Sequence, residues 1–161
     1  MSTSLRKASS SDILQIATLA EKIWLAHYTP IIGSDQVAYM LKKMYSAESL
    51  LEQQKSGQQF FFAQIDDKVI GYISVSANEN NLFLHKFYLD SAEQGKGYGK
   101  LFFAELVSNF PGMKTMRLQV NRMNYKTINF YFRLGFIIEE AKDFDIGDGF
   151  FMEDYVMVMV K

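Results

Sequence analysis

The sequence predicts an α/β domain with a mixed, mostly antiparallel twisted sheet of about seven strands flanked by helices. Three observations carry this. Apolar residues recur at helical spacing after Asp12 and give way to strand patterns from Phe60 onward. The turn Asp66-Asp67-Lys68 joins two apolar runs as an antiparallel hairpin. A helix separates the run at 82–89 from the run at 115–121, so these two strands are expected to be parallel with a right-handed crossover. At 161 residues the chain is expected to be a single domain, 1–161, large enough to bury a core but too short for two.

Leu5 to Ala8 reads as a short first strand, and Ser9 to Asp12 offer N-cap residues for a helix. Ile13, Ile16, Ala17, Ala20, Ile23 and Trp24 form its apolar stripe, and Pro30 marks its stop. Ser34-Asp35 open a second helix with Val37, Met40, Leu41 and Met44. Ser46 caps a third that ends near Gly57. Phe60 to Ile65 and Val69 to Ser76 make the hairpin, and residues 78–81 turn into the strand Leu82 to Leu89. A polar turn and a glycine-rich loop precede a helix carrying Leu101, Phe102, Phe103, Leu106 and Val107. Pro111-Gly112 break the chain before Thr115 to Asn121, where Met116, Leu118 and Val120 share one face. Asn124 to Leu134 form the last helix, with Gly135 at its C-terminal cap. A strand begins at Phe136 and runs irregularly to about Asp145, and Phe150 to Val160 form the last.

Composition excludes several classes of function. The formal net charge is −1 with 22% charged residues, which argues against nucleic acid, since phosphate backbones select strongly basic surfaces. Cysteine is absent, so there is no disulfide, thiolate zinc site or cysteine nucleophile, and no metal is expected. No apolar run follows the basic residues near the N-terminus and none approaches a membrane span, so a cytoplasmic location is expected.

The loop Gln94-Gly95-Lys96-Gly97-Tyr98-Gly99 stands between a strand and a helix start. Alternating glycines let successive N–H groups turn inward, and the helix adds unpaired first-turn N–H groups and its positive dipole end. Together these suit a phosphate. The P-loop pattern fails, because Leu101 follows Gly99-Lys100 where a magnesium-binding hydroxyl is needed, and the dinucleotide pattern fails because Lys100 stands where it needs glycine. The pattern that fits is Gln-x-x-Gly-x-Gly at Gln94, Gly97 and Gly99. Here the chain resembles the GCN5-related N-acetyltransferase (GNAT) family, and the order of elements resembles that family over nearly the whole chain. The resemblance implies a central parallel pair splayed around acetyl-CoA as co-substrate, with its pyrophosphate on Gln94, Gly95, Lys96, Gly97, Tyr98, Gly99 and Lys100. A loop that uses glycine for turns alone is the competing reading.

A second segment, Asn124 to Phe136, resembles the family's Asn-x-x-Ala-Ile-x-Phe-Tyr-x-x-x-Gly-Phe, with Thr127 in place of alanine. The resemblance implies that Asn124 contacts the pantetheine arm and that the Tyr131 hydroxyl is the catalytic acid at the thioester sulfur. A tyrosine suits that role, because a phenol, pKa roughly 10, stays protonated at neutral pH and can donate to a departing thiolate. The chain has 14 Phe, 9 Tyr and one Trp, so a core aromatic is the alternative for Tyr131. By the same resemblance a backbone N–H of Phe87 or Leu89 polarises the thioester carbonyl, the kind of fixed dipole that aids acyl transfer most.

No general base is evident, since His27 and His85 both read as structural or surface residues. Between Glu139 and Asp154 stand seven acidic residues and one lysine. As a rim to the acceptor cleft, Asp145, Asp148, Glu153 and Asp154 would draw a cationic amine; as a solvated charge run they would do nothing. Trp24 and Tyr28, with the Met40-to-Ser46 and Gly147-to-Gly149 stretches, are similar to the polyamine-acetylating PaiA-type branch. The reading is therefore acetyl transfer to a primary amine, first a small polyamine such as spermidine, with Trp24, Tyr28, Asp148 and Asp154 as substrate residues. An amino acid or protein N-terminus is the alternative acceptor, and a non-catalytic acyl-CoA-binding regulatory module the alternative class. No nucleic-acid or membrane partner is expected, and a homodimer stays open.

Overall fold

Seven strands and five helices follow the expected order in a computed structural model that describes residues 2–161. They are β1 (Thr3–Lys7), α1 (Ile13–Ile32), α2 (Ser34–Tyr45), α3 (Ala47–Lys55), β2 (Gln59–Ile65), β3 (Lys68–Asn78), β4 (Asn81–Leu89), α4 (Tyr98–Ser108), β5 (Thr115–Asn121), α5 (Tyr125–Leu134), β6 (Ile137–Gly147) and β7 (Phe150–Val160). Strand order in the seven-stranded sheet is β1-β2-β3-β4-β5-β7-β6. Contacts gather the described residues into two compact units, those up to 76 with 86–111, and residues 77–85 with 112–161.

The first unit holds α1 to α4, β1 to β3 and the second half of β4. β1 pairs antiparallel with β2 from Thr3↔Ile65 to Lys7↔Phe61, and β2 pairs antiparallel with β3. Ile16, Leu50, Phe60, Phe62, Ile73, Phe102 and Leu106 are buried with relative exposures of 0%. Pro30 does not stop α1, which runs on to Ile32. Proline forfeits the bond to the carbonyl four residues back, yet only two helical residues follow it. Gly33, at φ 85°, then ends the helix, its N–H donating to the Thr29 carbonyl at 3.0 Å. Ser46 caps α3 as expected, its hydroxyl accepting from the Ser49 N–H at 3.2 Å.

The β2–β3 register slips between Ala63↔Gly71 and Gln64↔Val69, so Ile70 is an extra residue on β3. Such a bulge frees one residue from the ladder. Its carbonyl accepts from the Asp90 N–H at 2.7 Å, which fixes the residue following β4. At Gly71 next door, a Cβ would stand 2.3 Å from the Tyr88 carbonyl oxygen. Glycine is required there for close approach of backbone to backbone.

In the second unit β4 pairs parallel with β5 over four rungs, Asn81↔Thr115 to Leu84↔Leu118. β5 pairs antiparallel with β7 along its whole length, and β7 with β6. Met116, Leu118 and Val120 are all buried, as their alternation predicts. β6 is irregular as expected, with register slips near Glu139 and Ile146. The turn into β7 is Gly147-Asp148-Gly149, all with positive φ.

Candidate active site

The glycine loop follows β4 and opens α4. Asp90 is held by Lys22 Nζ at 2.6 Å and accepts from the Ala92 N–H, and these bonds, the lysine's first, keep its carboxyl below the usual range. The Gln94 amide donates to the Leu89 carbonyl at 3.1 Å, so the glutamine of the motif ties the loop to the end of β4. Gly95 (φ 77°) and Gly97 (φ 82°) are left-handed. A Cβ at either would meet nothing within 4 Å, so the chain itself does not fill the space beside them. Gly97 is the N-cap of α4 and brings no side-chain cap to its first-turn N–H groups. These features fit a phosphate. Gly99, expected in the loop, lies in the first turn of α4, because the helix already begins at Tyr98. Lys96 is held by Glu93 at 3.2 Å, and Lys100 is exposed.

In the same unit Trp24 and Tyr28 are buried in an aromatic cluster with Tyr45, Tyr72 and Tyr88. The Trp24 ring lies 4.4 Å from Tyr28, 5.3 Å from Tyr45 and 5.8 Å from Tyr88. The hydroxyls pair as Tyr28 with Tyr88 (3.3 Å) and Tyr72 with Tyr45 (3.0 Å). Burial first, and neighbouring phenols second, hold the Tyr45 and Tyr72 hydroxyls well above the ordinary phenol range. Next along β4 is Lys86, no candidate from the sequence although alternation puts it on the buried face of the strand with Leu82 and Leu84. Its amine is buried, bonded to Gln53 Oε1 (2.6 Å) and Gln58 Oε1 (3.1 Å), and desolvation lowers its pKa to about 7. Phe87 is half-buried and Leu89 buried. His27 and His85 pack against Tyr28 and Phe83, as structural histidines do.

The second unit carries the other segment. Asn124 is the N-cap of α5 and not its first residue: its N–H donates to the Asn121 carbonyl and its carbonyl receives the Ile128 N–H, each at 3.0 Å. Tyr131, one turn from the end of α5, is buried against Phe130 and Phe136, both at 5.4 Å. Gly135, at φ 103°, caps α5 as expected.

The acidic run divides. Asp145 closes its own turn by accepting from the Gly147 N–H, Asp148 sits exposed at φ 56°, and Glu153 is exposed. Asp154 is instead buried at 2% exposure, with Oδ2 unpartnered, and burial raises its pKa to about 6 against the pull of Arg122. A signal for this lies in the strand alternation, which puts Asp154 on the face of the buried Val156 and Val158. No cluster of three metal-binding side chains occurs among the described residues, and no helix there is long and apolar enough to cross a membrane.

Three comparisons bear on this arrangement. Residues 20–136 match the model of the Acetyltransferase (GNAT) family. The spermidine N(1)-acetyltransferase of Thermoplasma acidophilum is 29% identical over 160 residues, covering 95% of this chain and 97% of that protein. Among solved structures, the PaiA N-acetyltransferase of Thermoplasma acidophilum in complex with coenzyme A matches over the full length of both chains, with 27% identity and a TM-score of 0.78. A GCN5-related N-acetyltransferase of Rhodopseudomonas palustris shares the fold at TM-score 0.80 with 12% identity. With a family match over more than half its length, the chain belongs to the GNAT acetyltransferases, which take acetyl-CoA as acyl donor.

Proposed function

We propose that this acetyltransferase acts on a primary amine of a small polyamine, with spermidine as first choice. The observation that carries the acceptor is the likeness, along nearly all of both chains, to a protein named spermidine N(1)-acetyltransferase. The acidic residues of β6 and β7, and among them the buried carboxylate of Asp154, support a cationic acceptor.

Bound acetyl-CoA supplies an activated acetyl group as a thioester. The protein's part is to hold, polarise and move protons. Gly95, Gly97 and the first-turn N–H groups of α4 hold the pyrophosphate, with Gln94 fixing the loop to β4 and Lys96 and Lys100 adding charge beside it. The backbone N–H of Phe87 or Leu89 faces the acetyl oxygen and stabilises charge that develops there. Asn124 binds the pantetheine arm. Tyr131 gives its hydroxyl proton to the departing sulfur. Trp24 and Tyr28 help shape the acceptor side, and Asp148 and Asp154 attract its ammonium groups.

Release of free CoA with spermidine, an amino acid of similar size and a peptide N-terminus distinguishes the acceptors, and no release with any of them leaves a binding module. Tyr131→Phe keeps the ring and its packing but removes the proton. The expected result is a fall in kcat of about 10²–10⁴-fold, with acetyl-CoA affinity unchanged. An unchanged kcat returns Tyr131 to the core.

A further inference from the structure

Two buried side-chain atoms among the described residues lack a hydrogen-bond partner, Trp24 Nε1 and Asp154 Oδ2. The indole is a neutral donor inside an aromatic cluster. The carboxylate is ionisable, and its setting is unusual. Asp154 stands on β7 directly across from Asn121, the last residue of β5, and across from Lys142 on β6. Two cations stand nearby, Arg122 and Lys142, and neither hydrogen-bonds the carboxylate. Arg122 gives Nη2 to the Asp143 carboxylate at 2.7 Å and Nη1 to the main-chain carbonyls of Asp154 (3.2 Å) and Lys142 (3.5 Å). Lys142 Nζ lies over the Phe144 ring, 5.2 Å from its centroid.

Leaving a buried carboxylate oxygen without a donor is costly, and pairing it with either neighbour would lower that cost. The cost is lifted just as well by a cation or proton that comes from outside the chain. From the Asn121 rung the chain turns through Met123, whose N–H donates to Asn121 Oδ1 at 2.9 Å, into Asn124 and then α5, the helix that carries Tyr131. Asp154 thus stands at the strand end from which the acid's helix departs.

We propose that Asp154 is the general base of the transfer: its carboxylate meets the acceptor's ammonium and removes the proton that blocks attack. This rests on the reading of the acceptor as a cationic amine. The balance is simple. The ammonium gives one proton to Asp154 and becomes a neutral amine. The amine nitrogen bonds to the acetyl carbon as the carbon–sulfur bond breaks. The sulfur takes the Tyr131 proton, and the second proton lost by nitrogen restores Tyr131 through solvent. Asp154 then releases its proton to water, for a net yield of amide, free thiol and one proton. The charged groups around Asp154 have opposed effects. Burial raises its pKa first, Asp143 adds to the rise, and Arg122 opposes it. Glu153 and Tyr155 alternate to the other face of β7, and Lys142 is turned to Phe144. A carboxylate poised to about 6 is ionised at neutral pH yet basic enough to accept a proton.

The test is Asp154→Asn, which keeps the shape and should keep the fold. Its kcat/KM for spermidine should fall by about 10²-fold or more. The acid limb of the wild-type kcat/KM profile, centred near pH 6, should vanish in the variant. A readout free of turnover accompanies these. Calorimetry of spermidine binding without acetyl-CoA, at about pH 6 in two buffers of different ionisation heat, should show proton release from the wild type and none from the variant. A variant that keeps wild-type kcat/KM, or keeps the acid limb, overturns the proposal. So does a raised KM with kcat intact, which would make Asp154 an anchor and not a base. If the wild type itself acetylates no amine, the acceptor reading has failed, and the calorimetric comparison shows separately whether Asp154 meets an ammonium.

Discussion

Lys86 and Asp154 are both buried ionisable groups, one in each unit, and they are treated in opposite ways. Desolvation moves each toward its neutral form, Lys86 down to about 7 and Asp154 up to about 6. Lys86 is surrounded by groups that suit it. Gln53 and Gln58 offer carbonyl oxygens, the second also held by the Ser74 hydroxyl at 2.6 Å, and the Tyr45 and Phe60 rings lie 5.6 and 5.3 Å from the amine. An amine so placed donates to two oxygens whether charged or neutral, and its needs are met by the chain. At Asp154 the available cations are engaged elsewhere and one oxygen is left without a donor. Burial with partners reads as structure, and burial without them reads as a place kept for something that arrives.

The glycines repeat the contrast and give the largest expected effect. At Gly71 an added methyl strikes the Tyr88 carbonyl at 2.3 Å, a demand made by the chain itself. At Gly97 the same methyl meets open space, and the constraint is the left-handed φ of 82° and whatever binds there. Gly71→Ala should therefore cost about 3 kcal/mol or more, since the clash is with backbone. Gly97→Ala should cost about 1–2 kcal/mol, the ordinary strain of a left-handed residue, while weakening acetyl-CoA binding. Urea denaturation and calorimetry with acetyl-CoA read the two effects. A Gly97→Ala protein with full acetyl-CoA affinity would remove the loop from the site.

The two buried ions are separated by how stability depends on pH. Asp154 has a folded pKa above its unfolded one, so the folded chain holds the extra proton between about 3.8 and 6 and stability falls as pH rises through that window. Above it the buried charge costs on the order of 2–3 kcal/mol at 1.36 kcal/mol per unit. Asp154→Asn should recover that amount at about pH 8 and nothing near pH 4. Lys86 has a folded pKa below its unfolded one, so stability rises with pH from about 7 to 10.5. Gln53→Leu, which strands part of its amine, should cost about 1–3 kcal/mol. If Asp154→Asn destabilised the protein at about pH 8, the carboxylate would have a structural partner and the contrast would collapse.

How far the sequence foretells these residues follows from the range of the interactions that define them. The glycine loop and the Asn124–Gly135 segment are readable because their geometry is local: left-handed glycines, an N-cap and a C-cap depend on a few adjacent residues. The alternation of β5 is readable for the same reason. Pro30 misleads because proline's veto weakens in a last turn, where a single bond is forfeited. Alternation in β4 puts Lys86 on the buried face, but the oxygens that satisfy its amine come from Gln53 and Gln58, 33 and 28 residues away, and no local pattern shows them. Asp154 is visible, but as one charge among seven. What distinguishes it from Asp148 is burial beside an Arg122 that is bonded to Asp143 and a Lys142 that lies over Phe144, and such side-chain pairings between separate elements are not written in any local pattern.

Asp148 supplies the smallest expected effect and the sharpest control for Asp154. It sits exposed in the Gly147–Gly149 turn at φ 56°, a conformation asparagine adopts readily, so Asp148→Asn should leave stability within about 0.5 kcal/mol. If the acidic face attracts the polyamine, removing one exposed charge should raise KM for spermidine by a few-fold at low salt, on the order of 1 kcal/mol or less. The turnover number should not change, because attraction at the rim is shared by ground and transition states. The effect should fade toward physiological ionic strength, where exposed charges are screened over about 8 Å. Asp154→Asn should behave differently in each respect: a fall in kcat/KM that salt does not erase, because buried charges are little screened. Should Asp148→Asn instead lower kcat, or keep its full effect at high salt, the exposed turn would be part of the reaction centre, and the distinction between an attracting rim and a reacting carboxylate would be wrong. Should it leave KM untouched at low salt, the exposed part of the acidic run is a solvated surface, and recognition of the amine rests on the buried residue alone.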